Sequence, residues 1–204
     1  SFHPVKGITT GEGGAVIPNN YKIYENIKIM RSHNIIKKPN KGDWVYDIKS
    51  AGFNYRMNEF QAALGISQLK KINDFLKYRR KIAQHYDNKL KNYSFLNYTK
   101  KVNKRVKSSY HLYSVIFDFK KNKVSKKNFF QFMKKKGVVL QVHYMPLFLL
   151  SVFKKKIINK NDNFENSIFF YKNSFSLPIY YKLKISEQNY VIKTITSYFK
   201  KKLS

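Results

Sequence analysis

From Phe60 to Leu90 the apolar residues Phe60, Leu64, Leu69, Ile72, Leu76, Ile82, Ala83, Tyr86 and Leu90 recur near the 3.6-residue period of an α-helix. Asn58, with Gln61 three positions on, has the residue types of a capping box. In that motif two side chains satisfy backbone N–H groups that a helix start leaves without partners. The spacing predicts one helix from Asn58 to near Asn92. Such a length exceeds what a small domain needs and suits a connection between two lobes.

The pattern differs on either side of this helix. Residues 1–20 read as short extended pieces around turns, with an apolar strand in "GAVIPN" after the "GEGG" punctuation. Residues 21–31 have weak helical spacing, and the Lys- and Asn-rich residues 34–50 read as a loop. Beyond residue 100 strands and helices alternate. "HLYSVIFDF" (111–119) reads as a strand, "SKKNFFQFMKKKG" (125–137) as an amphipathic helix stopped by Gly137, and "VVLQVHY" (138–144) as a second strand. A helix over 164–171, a short strand in "SFSLP" and a last helix over 186–201 complete an α/β lobe.

The chain has 41 basic and 11 acidic side chains, a formal net charge of +30. That excess raises nucleic acid or an anionic surface as a partner. However, 36 of the 41 are lysine and 5 arginine, and the basic residues are spread evenly along the chain. Recognition of phosphate or guanine by a planar fork favours arginine on a localised patch. No specific nucleic-acid partner is expected. Without cysteine there is no disulfide or thiolate metal site, and no metal is expected. The most apolar stretch, residues 138–153, is interrupted by Gln141, His143 and Pro146 and falls short of a bilayer span, so no membrane association is expected. No leader is legible, and the expected compartment is the cytoplasm.

The first fourteen residues, "SFHPVKGITTGEGG", pose a different question. Lys6 is the one charged side chain before Glu12. An imine with an aldehyde forms only from a neutral amine, and uncharged neighbours suit that chemistry. Taken alone, a lysine after a turn is far more often a surface lysine.

As a whole, the stretch resembles the cofactor-lysine segment of the DegT/StrS-type sugar aminotransferases, enzymes of the aspartate-aminotransferase fold that use pyridoxal phosphate (PLP). "GFNYRMNEFQAALGISQLKKI" (52–72), "GVVLQVHYMPL" (137–147) and "SLPIY" (176–180) resemble three further family segments in the family's order. The "HPVK", "RSHN" and "QVHY" wording is most similar to the nucleotide-sugar 4-aminotransferases of pseudaminic acid synthesis.

The resemblance implies roles. Lys6 is then the lysine that holds the cofactor aldehyde and shuttles a proton, and Ser1, five residues upstream on the same strand, donates to the cofactor phosphate. Asn54 reaches the phosphate of a neighbouring subunit's cofactor, which implies a homodimer with shared active sites. Gln141, Val142, His143 and Tyr144 line the nucleotide-sugar site, and the amino donor is expected to be glutamate. Each residue also has a plainer reading: Ser1 as a chain end, Asn54 as a loop cap, His143 and Tyr144 as core-edge residues, and Lys134 to Lys136 as a solvated helix end. His3 reads as a packed strand residue and Glu12 as turn chemistry.

The implied fold class is α/β, the C-terminal part of a fold type I PLP enzyme. It comprises the end of the large domain (1–56), a long connecting helix (57–93) and a small α/β domain (94–204). Family members carry roughly as much chain again before the lysine segment, including the aromatic residue and the Asp that contact the pyridine ring. The alternative is a basic remnant without catalysis that binds nucleic acid or an anionic surface.

Overall fold

The computed structural model describes residues 1–98, 106–154 and 164–203. The chain divides into two compact units, Ser1–Asn73 and Asp74–Ser204.

In the first unit, α1 (Tyr21–Met30) starts where the Asn20 side chain accepts a hydrogen bond from the Ile23 N–H at 3.2 Å. The stretch read as a loop contains a hairpin. β1 (Ile35–Lys37) pairs antiparallel with β2 (Tyr46–Ile48), with Ile36 opposite Asp47. An ion pair from Lys38 Nζ to Asp47 Oδ2 at 2.8 Å ties its arms together. The excess of lysine and asparagine hid the short alternation of these strands. Conversely, residues 14–18 form no strand. The capping box at Asn58 is present in both directions, and it opens α2 (Glu59–Leu69).

The single helix expected over 57–93 is in fact two. At Lys70 and Lys71 the chain turns, Lys71 N–H donating to the Gln68 carbonyl three residues back, and α3 (Ile72–Leu90) begins. The apolar period passes through this break because each half keeps its own stripe, so spacing alone does not reveal it.

The second unit holds the core. β3 (Asn97–Tyr98), β4 (Tyr113–Ile116) and β5 (Ser174–Leu177) form an antiparallel sheet in the order β3-β4-β5. Around it lie α3, α4 (Lys126–Lys135), α6 (Glu165–Asn173) and α7 (Ile185–Leu203), with the short α5 (Ser151–Lys154) following a single 3₁₀ turn at Leu147–Leu149. Aromatic side chains dominate the interior. Phe117 and Phe199 stack with centroids 3.9 Å apart, and Phe129 meets Phe175 edge-on at 5.1 Å. All four are essentially fully buried, and each contributes roughly 1.5–3 kcal/mol by leaving water.

Helix α4 shows how local sequence sets a boundary. Ser125 caps its start by accepting from Asn128 N–H. At the other end Gly137 takes φ 74°, Val138 N–H donates to the Met133 carbonyl and Gly137 N–H to that of Lys134. This closing pattern needs a left-handed residue and brings two apolar residues together, here the buried Met133 and Val138. Lys134 to Lys136 are exposed there, as a solvated helix end requires.

Lys126 ties α4 to α6. Its Nζ donates to the Tyr171 carbonyl at 2.7 Å and lies within 6 Å of the ring centroids of Phe119, Phe130 and Tyr171. Burial pushes its ammonium down to about 8, while the carbonyl and the ring faces favour the charged form.

Candidate active site

Residues 1–14 are a closed loop rather than strands. Phe2 N–H donates to the Gly13 carbonyl at 2.8 Å, and the Phe2 carbonyl accepts from Thr10 N–H and from Thr9 Oγ1, each at 3.0 Å. Between these ties, Lys6 N–H donates to the His3 carbonyl, and Lys6 itself is half-buried. The Gly-rich end is required by this closure. Gly11 has φ 80°, Gly13 has φ 148°, and a Cβ on Gly13 would lie 2.6 Å from Thr10 Oγ1. Ser1 and Lys6 therefore share one loop, not one strand. Ser1 lies against Gly14, its Oγ 3.4 Å from the His3 N–H that donates to it. His3 is exposed, its Nε2 3.7 Å from Glu12 Oε1, so it is not a packed strand residue.

The second motif closes on the first. Gln61, already part of the helix cap, donates from Nε2 to the Glu12 carbonyl at 3.0 Å. The Met57 methyl group lies against Gly13, and Gly65 faces Thr10 so closely that a Cβ there would come 3.0 Å from the Thr10 methyl. Thus "MNEFQAALG" is partly a docking sequence for the lysine loop.

Asn54 is exposed and is held by a different stretch. It bridges to Ser32, while Phe53 N–H donates to Met30, Tyr55 N–H to Arg31 and His33 N–H back to Phe53. His33 and Asn34 take φ of 62° and 58°, and a Cβ on Gly52 would collide with their backbone. "RSHN" is therefore the structural partner of "GFN". Sequence reading missed this pairing; the signal was a glycine next to an otherwise bulky, extended segment.

In the second unit, residues 138–144 make no continuous strand. One bridge remains: Ser176 N–H donates to the Gln141 carbonyl at 2.8 Å. Ser176 Oγ also hydrogen-bonds His143 Nδ1 at 2.8 Å, and the His143 ring meets Tyr144 edge-on at 4.7 Å. Tyr144 and Gln141 are exposed, Val142 and His143 half-buried. The third and fourth motifs thus come together at Ser176.

The fourth motif is in turn fixed by α3. Tyr86 Oη donates to the Pro178 carbonyl at 2.9 Å, and Tyr78 Oη to that of Leu183 at 3.2 Å. The buried Arg79 donates to the carbonyls of Ile179 and Tyr110 at 3.0 and 3.1 Å. Burial raises the Tyr86 phenol pKa well above its ordinary value and lowers that of the Arg79 guanidinium. These anchors were not singled out from sequence, since Tyr78, Arg79 and Tyr86 read as ordinary helix residues.

The donor set in the first unit is a primary amine, a hydroxyl and a carboxamide. An amine suits an aldehyde, and neutral hydrogen-bond donors suit a phosphate, so these residues fit PLP. Among the described residues no cluster of His, Asp or Glu is arranged to hold a metal, and no helix is long and apolar enough to cross a membrane.

Similarity to known proteins extends over nearly the whole chain. A UDP-4-amino-4,6-dideoxy-N-acetyl-beta-L-altrosamine transaminase of Campylobacter jejuni is 37% identical over 202 residues, 98% of this chain and 52% of the relative. The structure of Helicobacter pylori PseC, an aminotransferase involved in the biosynthesis of pseudoaminic acid, superposes with a TM-score of 0.86 at 32% identity, covering 98% of this chain and 52% of PseC. The PLP form of the putative sugar aminotransferase Spr1654 from Streptococcus pneumoniae superposes with a TM-score of 0.82 at 27% identity, covering 100% of this chain and 52% of that one. The chain spans about half the length of each, and its fold is that of part of a fold type I PLP enzyme. Residues 1–196 match the DegT/DnrJ/EryC1/StrS aminotransferase family, and the chain belongs to it.

Proposed function

We propose that this chain is the C-terminal portion of a PLP-dependent aminotransferase that moves an amino group from glutamate to a nucleotide-linked 4-keto-6-deoxy sugar. It would act in the cytoplasm, as a homodimer with shared active sites, in surface-glycan or nonulosonic acid synthesis. The observation that carries the reading is the closed loop holding Lys6, which the second family motif buttresses through Gln61, Met57 and Gly65. The names of the Campylobacter and Helicobacter relatives support the sugar class.

Bound PLP supplies the electron sink. The chain supplies position and proton transfer. Lys6 Nζ engages the aldehyde and carries the proton at the reacting carbon, a task for an amine that alternates between its two protonation states. The Ser1 hydroxyl and the Asn54 carboxamide donate to phosphate, Asn54 from the neighbouring subunit. Gln141, Val142, His143 and Tyr144 contact the nucleotide sugar, with Ser176 setting the orientation of the His143 ring.

Borohydride reduction in the presence of PLP tests the central role. The expected result is a stable adduct mapped by mass spectrometry to Lys6, and its loss in Lys6→Ala. Labelling of the variant at the same site and yield as the wild type is impossible if Lys6 is the adduct site, so an unchanged adduct map would refute the assignment.

A further inference from the structure

Strand β5 is anchored from several sides. It pairs with β4 in the register Ser114 opposite Ser176 and Val115 opposite Phe175. Just beyond it, the carbonyls of Pro178 and Ile179 are held from α3 by Tyr86 and Arg79. Phe175 points into the aromatic core, so the alternation of a strand places Ser174 and Ser176 together on the opposite face. Ser176 is thereby a fixed point, 7% exposed, and it reaches residues 141–144 twice. Its N–H donates to the Gln141 carbonyl, and its Oγ lies 2.8 Å from His143 Nδ1.

At that distance one proton lies between Oγ and Nδ1, and either atom can supply it. The surroundings of Ser176 decide which. If Nδ1 carried the proton, Oγ would accept it, and the hydroxyl proton would need an acceptor of its own. Among the described residues Oγ makes no second hydrogen bond, and Ser114, opposite in the register, makes none to it. Two residues back on the same face, Ser174 is 2% exposed and its Oγ has no hydrogen-bond partner among the described residues. This face of β5 therefore has no acceptor to spare for a serine hydroxyl. A buried donor without an acceptor costs its full desolvation, whereas a spare lone pair on an acceptor costs less. With the hydroxyl donating to Nδ1, no donor is stranded.

We propose that Ser176 is a positioning residue whose hydroxyl donates to His143 Nδ1, holding the ring in the tautomer that carries its proton on Nε2. The two nitrogens of an imidazole point in different directions, so Nε2 faces away from Ser176 as a donor. Tyr144, edge-on to the ring at 4.7 Å, limits its swing. The role rests on the proposed contact of residues 141–144 with the nucleotide sugar, and it gives that contact a polarity. The ligand group opposite Nε2 is an acceptor oxygen of the sugar or of its nucleotide. A group that can only donate, such as an ammonium, is refused there.

The test uses the whole chain with nitrogen-15-labelled histidine at about pH 8, where an ordinary imidazole is uncharged. Long-range proton–nitrogen correlation reads which nitrogen of each ring carries the proton, and His143→Gln identifies the His143 signals among the five histidines. The expected wild-type result is a single Nε2–H tautomer with Nδ1 accepting a hydrogen bond. In Ser176→Ala the ring is expected to average between both tautomers, and Ser176→Thr, which keeps the hydroxyl, to restore the single form. Amide exchange at Val115 and Phe175 is expected to be the same in both variants, because the β4–β5 pairing is kept. A proton on Nδ1 in the wild type would overturn the proposal without any variant having to fold. Ring nitrogen shifts unchanged in Ser176→Ala would overturn it as well. UDP-N-acetylglucosamine then serves as the ligand probe, since the name of the Campylobacter relative specifies a UDP-linked N-acetyl sugar. It is expected to shift the Nε2–H proton and to bind Ser176→Ala roughly tenfold more weakly. The same shift with UDP alone assigns the acceptor oxygen to the nucleotide; a shift that needs the sugar assigns it to the sugar. Because the tautomer is read without ligand, an Nε2–H ring that ignores both probes refutes the sugar-contact reading and not the hydrogen bond from Ser176.

Discussion

Replacing Arg79 by methionine isolates what anchors the fourth motif. Arg79 as a whole is 8% exposed, and its guanidinium donates to the carbonyls of Ile179 at 3.0 Å and Tyr110 at 3.1 Å, with a longer 3.5 Å contact to His111. Bonds from a charged donor contribute about 1.5–3 kcal/mol each. Part of that is offset in the variant, because methionine fills the space of the arginine stem and no ion remains to be desolvated. The net loss is therefore about 2–4 kcal/mol. Arg79→Lys keeps the charge but not the fork, and is expected to lose about half as much. For a unit of this size, a loss of about 3 kcal/mol lowers the thermal midpoint by roughly 10 °C. Far-ultraviolet circular dichroism reports the midpoint. Tryptophan fluorescence does not, since Trp44 lies in the other unit. Exchange mass spectrometry should also show residues 179–183 opening before the sheet does. A midpoint within about 3 °C of the wild type, or exchange no faster at 179–183 than elsewhere, would refute the anchoring role.

Burial raises the pKa of the Tyr113 phenol, assisted by its hydrogen bond to Asp87, and burial also raises that of Tyr86. Because the folded values lie above the unfolded value of about 10, their stabilisation is complete below pH 10 and is lost as pH rises beyond it. Urea midpoints should thus fall above pH 10, and less so in Tyr113→Phe. Gly52→Ala should disrupt the pairing of residues 31–34 with 53–55, read as faster exchange at the amides of His33, Phe53 and Tyr55, because its Cβ meets backbone rather than a movable side chain. Binding to duplex DNA should be weak, indifferent to sequence and abolished at physiological salt; sub-micromolar specific binding there would restore the basic-module reading.

Much of the fold was legible where side-chain chemistry is local. Asn58 with Gln61 announced a helix start, Gly137 a helix stop, and the glycines of residues 11–14 a turn, although the closed loop around them was read as extended pieces. What stayed hidden was set by distant partners. The hairpin at 35–48 has three-residue arms, too short for a period to emerge from lysine-rich surroundings. The break at Lys70 and Lys71 preserves the apolar spacing on both sides. Residues 138–144 look like a strand because valine and leucine favour one, yet a single bridge to Ser176 satisfies what the geometry allows. For the candidate site, the family resemblance singled out Lys6 and His143, but nothing in the sequence pointed to the hydrogen bonds of Ser176, Arg79 and Tyr86, which span 31 to 100 residues.

All four residues of β5 are buried, and its alternation divides them between two tasks. Phe175 packs among Phe119 and Phe129, while its neighbour Ser176 holds both Gln141 and His143. The strand therefore behaves as a lever, with aromatic packing on one arm and the segment of Gln141 and His143 on the other. Exchanging Phe129 for leucine removes no group near His143, yet it lets the strand settle differently and shifts the ring. On the proposed reading of Gln141 to Tyr144 as sugar contacts, drift in the interior of such a chain would alter which sugar it prefers while each of those side chains stays the same.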